Sequence, residues 1–345
     1  MGKFNEEIKK IIYNNENFQK KNDSDKNKII KEITDFTTDK MAESIKKDST
    51  KISRKIKKIN KKFNRFNIKI MNKTWKKVFD ILDNILEITE ESMESYSLEF
   101  NEKASKEKNY IYHVNRTIHA RVVLCFKECL LLLKNGYSEA AMQIWRTMHE
   151  LTIIAIFINK HSDDTSLAKK YIDHIVVDNY KEAITYTNEK GINKLYTSEA
   201  IKELENEYNL IIKKYGKEFK KDYGWAVNIL KEKAPTFFDI ESDINNIKLH
   251  PYYKSSCDMI HGNYKANVKK IGLIKNNVLL YGPTDYGLSI PCQNIAITLN
   301  QINTVFFNTY FSVDYIITIK TINLFLNELL PLADSIQQKL KDNYL

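Results

Sequence analysis

An all-α fold is predicted for this chain: a multi-helix bundle with a long N-terminal helical arm and at most one small β-hairpin near residues 270–281. Three observations lead there. Only nine glycines and five prolines punctuate 345 residues, and so few breakers in a chain rich in Lys, Glu, Ile and Leu favour long helices. Apolar residues in the arm and in the segment after it recur at three- and four-residue spacing. With 43% hydrophobic and 28% charged residues, the composition is that of a globular chain with a large core. Two parts are expected, a basic helical arm over 1–74 and a helical core over 75–345.

Residues 1–28 are polar, and a helix is expected from about Lys26 to Lys46. Ile52, Ile56, Ile59, Phe63, Phe66 and Ile70 then follow at spacings of four, three, four, three and four. That is a heptad seam on a helix whose other faces are almost wholly basic. A helix from Trp75 to about Phe100 follows, with Trp75, Phe79, Leu82, Leu86, Met93 and Tyr96 as its apolar positions. The next runs from Tyr110 to Lys134 and stops at Asn135-Gly136, a C-terminal signal. Further helices are expected at Ser138–Asn159, Thr165–Glu189, Thr197–Tyr215 and Trp225–Lys233. A loop is expected from Pro235 to Asn246, then a helix from near Pro251 that carries His261 and ends by Lys270. Two short apolar runs around Lys275-Asn276-Asn277 suggest the hairpin. Helices near 291–317, opened by Pro291, and 319–342 complete the chain.

Charge is unevenly placed. Residues 46–77 hold 14 Lys or Arg and one acid, Asp48, for a net +13, whereas the whole chain is +10 and the remainder −3. The basic character belongs to this segment, where Lys51, Arg54, Lys55, Lys58, Lys61, Lys62 and Arg65 are the candidates for contact with RNA or another polyanion. The same seam is a candidate coiled coil with a protein partner or a second copy. Read as uniform, its outer positive charge opposes a parallel homodimer and favours a heteromeric or polyanionic partner. A plain solvated basic helix in a chain rich in Lys, Asn and Ile is the alternative, against which the net −3 of the remainder argues.

No stretch reaches the roughly 18 apolar residues of a membrane span. Lys127 and Glu128 break the run from Val122 to Leu133, and Asp314 and Lys320 break the C-terminal one. The N-terminal Met1-Gly2-Lys3-Phe4 has no apolar signal core, so no membrane partner and a cytoplasmic location are expected. Cys125, Cys129, Cys257 and Cys292 suit a reducing compartment and read as small buried hydrophobes. No glycine-rich phosphate loop, Gly-x-Ser-x-Gly elbow, paired-cysteine motif or His-Glu-x-x-His occurs, and neither metal nor cofactor is expected.

Two segments place titratable groups within apolar surroundings, where a charge is costly unless it is paired or used. At 100° per residue, Gln143, His149 and Glu150 fall at about +60°, −60° and +40° from Arg146, a polar stripe that gives way to Ile153 and Phe157. Arg146 and Glu150 are an i,i+4 pair: either a buried structural ion pair, or a pocket in which Arg146 holds an anion and Glu150 orients it or acts as a base. His149 alone reads as a satisfied core histidine. In the second segment Lys254 and His261, seven apart, share a helical face, with Tyr253 and Asp258 on adjacent faces. A histidine near cations suits acid or base work on a phosphodiester; the plain alternative is a histidine bonded to backbone at a helix bend.

An ordered set of motifs resembles the domain-of-unknown-function family 5677. It comprises Asn135-Gly136-Tyr137 with Ala140-Ala141, Trp145-Arg146 with Glu150, and Asp222-Tyr223-Gly224-Trp225. Tyr253, Ser256 and His261-Gly262 come next, then Tyr281-Gly282-Pro283, Gly287-Leu288 and Pro291. The resemblance spans about residues 75–320, leaves out the basic seam, and implies an all-helical fold without assigning a reaction. A looser similarity is to the HEPN ribonucleases, helical and often dimeric proteins common in toxin and anti-phage systems. Their signature is Arg followed, four to six residues later, by His. Here Lys254, six intervening residues and His261 stand nearest; Arg116–His119 and Arg146–His149 are too close. Lysine lacks the planar fork of arginine.

The concrete expectation is a metal-independent endoribonuclease in anti-phage defence or stress response. His261 serves as acid or base, Lys254 and Arg146 stabilise phosphate charge, and Glu150 orients Arg146. The alternative is a non-enzymatic sensor or binding module whose basic arm holds nucleic acid or a partner.

Overall fold

In the computed structural model the described residues are 18, 20–188, 196–245, 247–261, 264, 268, 270–273 and 282–344. They form twelve α-helices, three short 3-10 turns and no strand, an all-α architecture. The hairpin expected over 270–281 falls mostly on 274–281, outside the described residues. The chain divides into two compact units, residues 1–66 and 67–345.

Helix α1 (Asp23–Thr74) is one unbroken helix where two were expected. Nothing between Asp23 and Thr74 interrupts it, since neither Gly nor Pro occurs there. Asn22 Oδ1 accepts the Asp25 N–H at 2.8 Å, and Asp23 and Asp25 sit in the first turn, where negative charge meets the positive end of the helix dipole. Within the first unit Ile45, Ile56, Ile59, Phe63 and Phe66 are exposed; the heptad seam lies open.

In the second unit Met71 and Trp75 are buried, and Trp75 Nε1 donates to the Asp285 carbonyl at 2.8 Å. α2 (Lys76–Glu107) buries Val78, Phe79, Leu82, Ile85 and Phe100 along one stripe and ends at Lys108 in the left-handed region. α3 (Tyr110–Lys134), capped by Asn109, and α4 (Ser138–Lys160) form the central antiparallel pair. α11 (Ser289–Phe307) packs on both of them and on α12 (Val313–Tyr344), which also covers α2. Cys125, Cys129 and Cys292 are buried among these helices as free thiols, and burial pushes each thiol pKa up. Tyr96, Phe100, Tyr112, Phe306, Phe307 and Tyr315 make a second, aromatic cluster.

Several boundaries depart from expectation, each for a tertiary reason. The segment expected as one helix over 165–189 breaks into α5 (Thr165–Asp173) and α6 (Ile175–Asn188) at His174, whose buried Nε2 donates to the Lys221 carbonyl at 2.8 Å. α7 (Ser198–Tyr215) starts where Thr197 accepts the Ala200 N–H. Trp225 lies in a 3-10 turn, and α8 (Val227–Leu230) is one turn long. α9 (Phe237–Asp243) occupies what was expected to be loop, opened by a capping box between Thr236 and Asp239. α10 (His250–Ile260) has Pro251 in its first turn and ends ten residues before the expected limit. Between α11 and α12 the break lies at 308–312 rather than near 318. There the Tyr96 hydroxyl accepts the Tyr310 N–H at 2.7 Å and donates to the Tyr310 carbonyl at 3.2 Å, so a side chain satisfies the freed backbone. α12 continues through Pro331 and, over Val313–Asn343, is long and apolar enough to cross a membrane, contrary to the sequence expectation. It buries Ile322, Leu329 and Ala333 in the core while Ile317 and Leu324 stay exposed.

The turn between α3 and α4 explains Gly136. Its φ is +80°, its carbonyl accepts the Thr284 N–H at 3.0 Å, and a Cβ there would stand 2.8 Å from the Thr284 carbonyl oxygen. Both the left-handed backbone and the close approach require glycine. Gly136→Ala is therefore expected to cost about 1–3 kcal/mol in urea unfolding, with the far-UV spectrum of the native state unchanged.

Candidate functional site

The polar stripe of α4 meets α9 and α10 in two tiers. The inner tier is sealed. His149 Nε2 lies 2.8 Å from Glu241 Oε1, and His250 Nδ1 lies 2.5 Å from Glu241 Oε2. His149 and Glu241 are fully buried. Burial pushes the Glu241 carboxyl pKa up, but the hydrogen bonds and charges of the two histidines outweigh it and hold the value below the usual glutamate range. The His149 ring stacks on Trp145, with centroids 5.2 Å apart. Glu241 was not legible in the sequence, because it sits 92 positions from His149 in a stretch expected to be loop; the Thr236…Asp239 cap was the available signal.

The outer tier is half open. Arg146 Nη2 and Glu150 Oε1 are 2.9 Å apart, with side chains about a quarter exposed (26% and 27%), so the pair is not sealed in the core as the apolar surroundings suggested. The Tyr253 hydroxyl donates to the same Glu150 oxygen at 2.6 Å, and the Arg146 guanidinium lies 5.5 Å from the Tyr253 ring centroid. Burial and then the Glu150 carboxylate raise the Tyr253 pKa. Burial, followed by the charges of Glu150 and Asp222, pushes Tyr223 up to about 12. Both phenols stay protonated near neutrality; Tyr253 gives its proton to Glu150, and Tyr223 keeps a donor on the groove wall.

Of the four residues expected to be catalytic, the structure joins Arg146 to Glu150. Lys254 and His261 are both exposed, on α10 and at its C-terminal cap, and no hydrogen bond or ion pair among the described residues links either to Arg146 or Glu150. The His261 N–H donates to the Cys257 carbonyl at 3.1 Å. Of the expected nucleic-acid contacts, Lys55, Lys58, Lys61, Lys62 and Arg65 are exposed on α1, while the side chains of Lys51 and Arg54 lie outside the described residues. Among the described residues no cluster of His, Cys, Asp and Glu is placed to hold a metal ion.

A groove of about 700 Å³ is lined by the adjoining face of α4, a feature the sequence did not reveal. Its walls are Val114 and Ile118 of α3, Leu151 and Ile154 of α4, Tyr171, Ile172 and Ile175 of α5 and α6, and Tyr223 with Trp225. His113, Thr117, Arg121, His174, Asp178 and Asp222 are its polar groups. Tyr223 also lines a second cavity of about 570 Å³ that holds Lys181, Lys220 and Lys221. Lys181 Nζ pairs with Asp222 at 2.9 Å, and the Asp222 carboxyl is held below its usual range by that lysine.

The inner tier carries a pH signature. Because the folded pKa of Glu241 is depressed, its contribution is fully present above the ordinary glutamate value of 4.5 and is lost as pH falls through the lowered folded value. Glu241→Ala is expected to cost roughly 3–5 kcal/mol, as removing one member of a buried ion pair does. The variant should also show a shallower loss of stability on the acid side than the parent in urea titrations run across that range.

No curated protein and no solved structure matches the chain. One family model does, over a span narrower than the motifs from 75 to 320 suggested, so that Gly282-Pro283, Gly287 and Pro291 lie beyond it. Residues 112–277, which carry α4, α9, α10, both tiers of the cluster and the lining of the groove, match the family of unknown function DUF5677, the family that the ordered motifs resemble.

Proposed function

We propose that this protein is a non-enzymatic sensor or binding module, in which the core groove takes a small molecule with an apolar body and an anionic end, and the basic helix α1 engages a polyanion such as RNA. The groove carries this reading. Its volume of about 700 Å³ falls within the range of ligand pockets, and apolar and aromatic walls with a few polar groups are what such pockets present. Arg121 supplies the cation for the anionic end. The outer tier supports recognition rather than turnover: Glu150 neutralises Arg146 and accepts the Tyr253 hydroxyl, so none of the three is poised to exchange a proton with a substrate.

A second reading, a metal-independent HEPN-like endoribonuclease in anti-phage defence or stress response, draws on one observation. Lys254 and His261 are both solvent-exposed, seven residues apart, where an RNA phosphate has access to a cation and an imidazole.

The groove is tested with anilinonaphthalene sulfonate, an apolar fluorophore with one anionic group. One saturable site is expected. Arg121→Ala and Ile175→Trp, the latter filling the groove from an exposed wall position, should each weaken binding about tenfold or more. Parent-like affinity in both variants would remove the groove from the proposal.

A labelled single-stranded RNA separates the arm from the second reading. Neutralising Lys55, Lys58, Lys61 and Lys62 should weaken binding at low salt. It should also flatten the log–log salt slope by up to about 0.7 per lost phosphate contact. Cleavage in EDTA that disappears in His261→Ala would establish the nuclease; intact RNA throughout supports the binding module.

A further inference from the structure

We propose that α1 pairs with the α1 of a second copy of this chain, parallel and in register, over about three heptads from Ile45 to Phe66. This goes beyond the ligand and RNA readings and rests on neither. The starting observation is a long helix whose apolar seam has no cover among the described residues: Ile45, Ile56, Ile59, Phe63 and Phe66 are each exposed, Phe66 at 61% and Ile45 at 64%. A stripe of that length on a monomer calls for an occupant, and the placement of charge around it decides which.

The charge that borders the stripe is one-sided. On a wheel of 100° per residue, Ile45, Ile52, Ile56, Ile59, Phe63 and Phe66 fall within about 80° of each other. One flank of that stripe carries Lys55, Lys62 and Lys58, with Arg65 beyond them. On the other, Asn67, Asn60 and Ser53 border the stripe, followed by Asn64 with Lys46 and, beyond them, Lys57. In heptad terms Ile45, Ile52, Ile59 and Phe66 are d positions, and Ser49, Ile56 and Phe63 are a positions. The g positions are then Asp48, Lys55 and Lys62, and the e positions that follow are Ser53, Asn60 and Asn67.

Parallel pairing sets each g residue against the e residue of the partner's next heptad. Asp48 then meets Ser53, Lys55 meets Asn60, and Lys62 meets Asn67. Every one of these contacts sets a charge against a neutral hydrogen-bonding group, and none sets like against like. Antiparallel pairing sets g against g, which brings Lys55 against Lys55 or Lys62 and is offset only where Asp48 meets a lysine. The polar a residue, Ser49, brings its own acceptor, since its hydroxyl donates to the Lys46 carbonyl at 2.7 Å, so covering it leaves no orphan. The rest of each basic sector, with Lys51, Lys58 and Arg65, then faces outward.

Other occupants fit less well. A helix lying in a lipid surface carries cations close on both flanks of its apolar stripe so that they reach the headgroups; here the positions that border the stripe on one flank, Ser53, Asn60 and Asn67, are amide and hydroxyl. An acidic partner helix would likewise be matched by cations on both flanks. RNA engages the basic side and leaves the seam uncovered.

The test is sedimentation equilibrium of the full chain without nucleic acid, across micromolar concentrations. A dimer is expected, and Ile59→Lys with Phe63→Lys should render it monomeric without loss of core helicity. Asn60→Lys should weaken the dimer about tenfold or more by setting cation against cation, whereas Lys55→Asn should leave it as stable as the parent or more so. Orientation is read from Ile56→Cys in a Cys257→Ser background, where mild oxidation should join identical positions. The proposal is overturned by a monomer at every concentration, by a dimer that survives the Ile59 and Phe63 changes, or by a dimer in which Ile56→Cys does not cross-link to itself. Assembly that needs added RNA, an acidic protein or anionic vesicles overturns it as well and assigns the seam to that partner.

Discussion

The carboxylate of Glu241 is the constraint on which the site depends. It is wholly buried, and two histidines, one from α4 and one from α10, hold it. A buried carboxylate without such partners is expensive enough to change protonation or reject the fold. The triad therefore fixes how α4, α9 and α10 meet. With these three helices placed, Tyr253 reaches Glu150, Arg146 lies beside the Tyr253 ring, and Phe237 closes on Tyr253 at a centroid separation of 4.7 Å. The outer, half-open tier follows from the sealed inner one.

The same layering separates what stabilises from what is available. Groups of the inner tier are committed to one another and have no exposed surface through which to meet a ligand, except at the edge of His250. The groove beside α4 has a mainly apolar lining, with His174 and Asp222 held by Lys221 and Lys181, and Arg121 exposed at its edge. Tyr223 touches both regions electrostatically, since Glu150 and Arg146 act on its phenol and it lines the groove. An occupant of the groove would alter the surroundings of that phenol and so the balance of charges around Glu150.

Most helices were legible because their signals are local. Asn135-Gly136 ends α3, Pro251 opens α10, and the i,i+4 pairing of Arg146 with Glu150 needs only helical geometry. Failures occurred where a distant group decides. The break at His174 depends on a carbonyl 47 residues away, and the break at Tyr310 on a hydroxyl 214 residues away. α9 had a capping box in plain view, but seven residues between loops carry too little periodicity to outweigh a neighbouring proline. The site divided in the same way: the Arg146–Glu150 pair is intrahelical and was readable, whereas Glu241, Tyr223 and the groove exist only through packing. The face shared by Lys254 and His261 was readable as well, but periodicity says nothing about distance to another helix.

The buried thiols have a consequence of a different kind. Cys125, Cys129 and Cys292 line the contact of α3 and α11 at the centre of the bundle. Burial keeps them in the neutral form, which is neither nucleophilic nor readily oxidised. Cys257, on α10, is only partly covered. An alkylating reagent thus meets one accessible sulfur in the native state and three that react only when the central helices separate. The chain carries an internal clock: the labelling rate of those three measures how often the core opens, apart from any looser motion of α10.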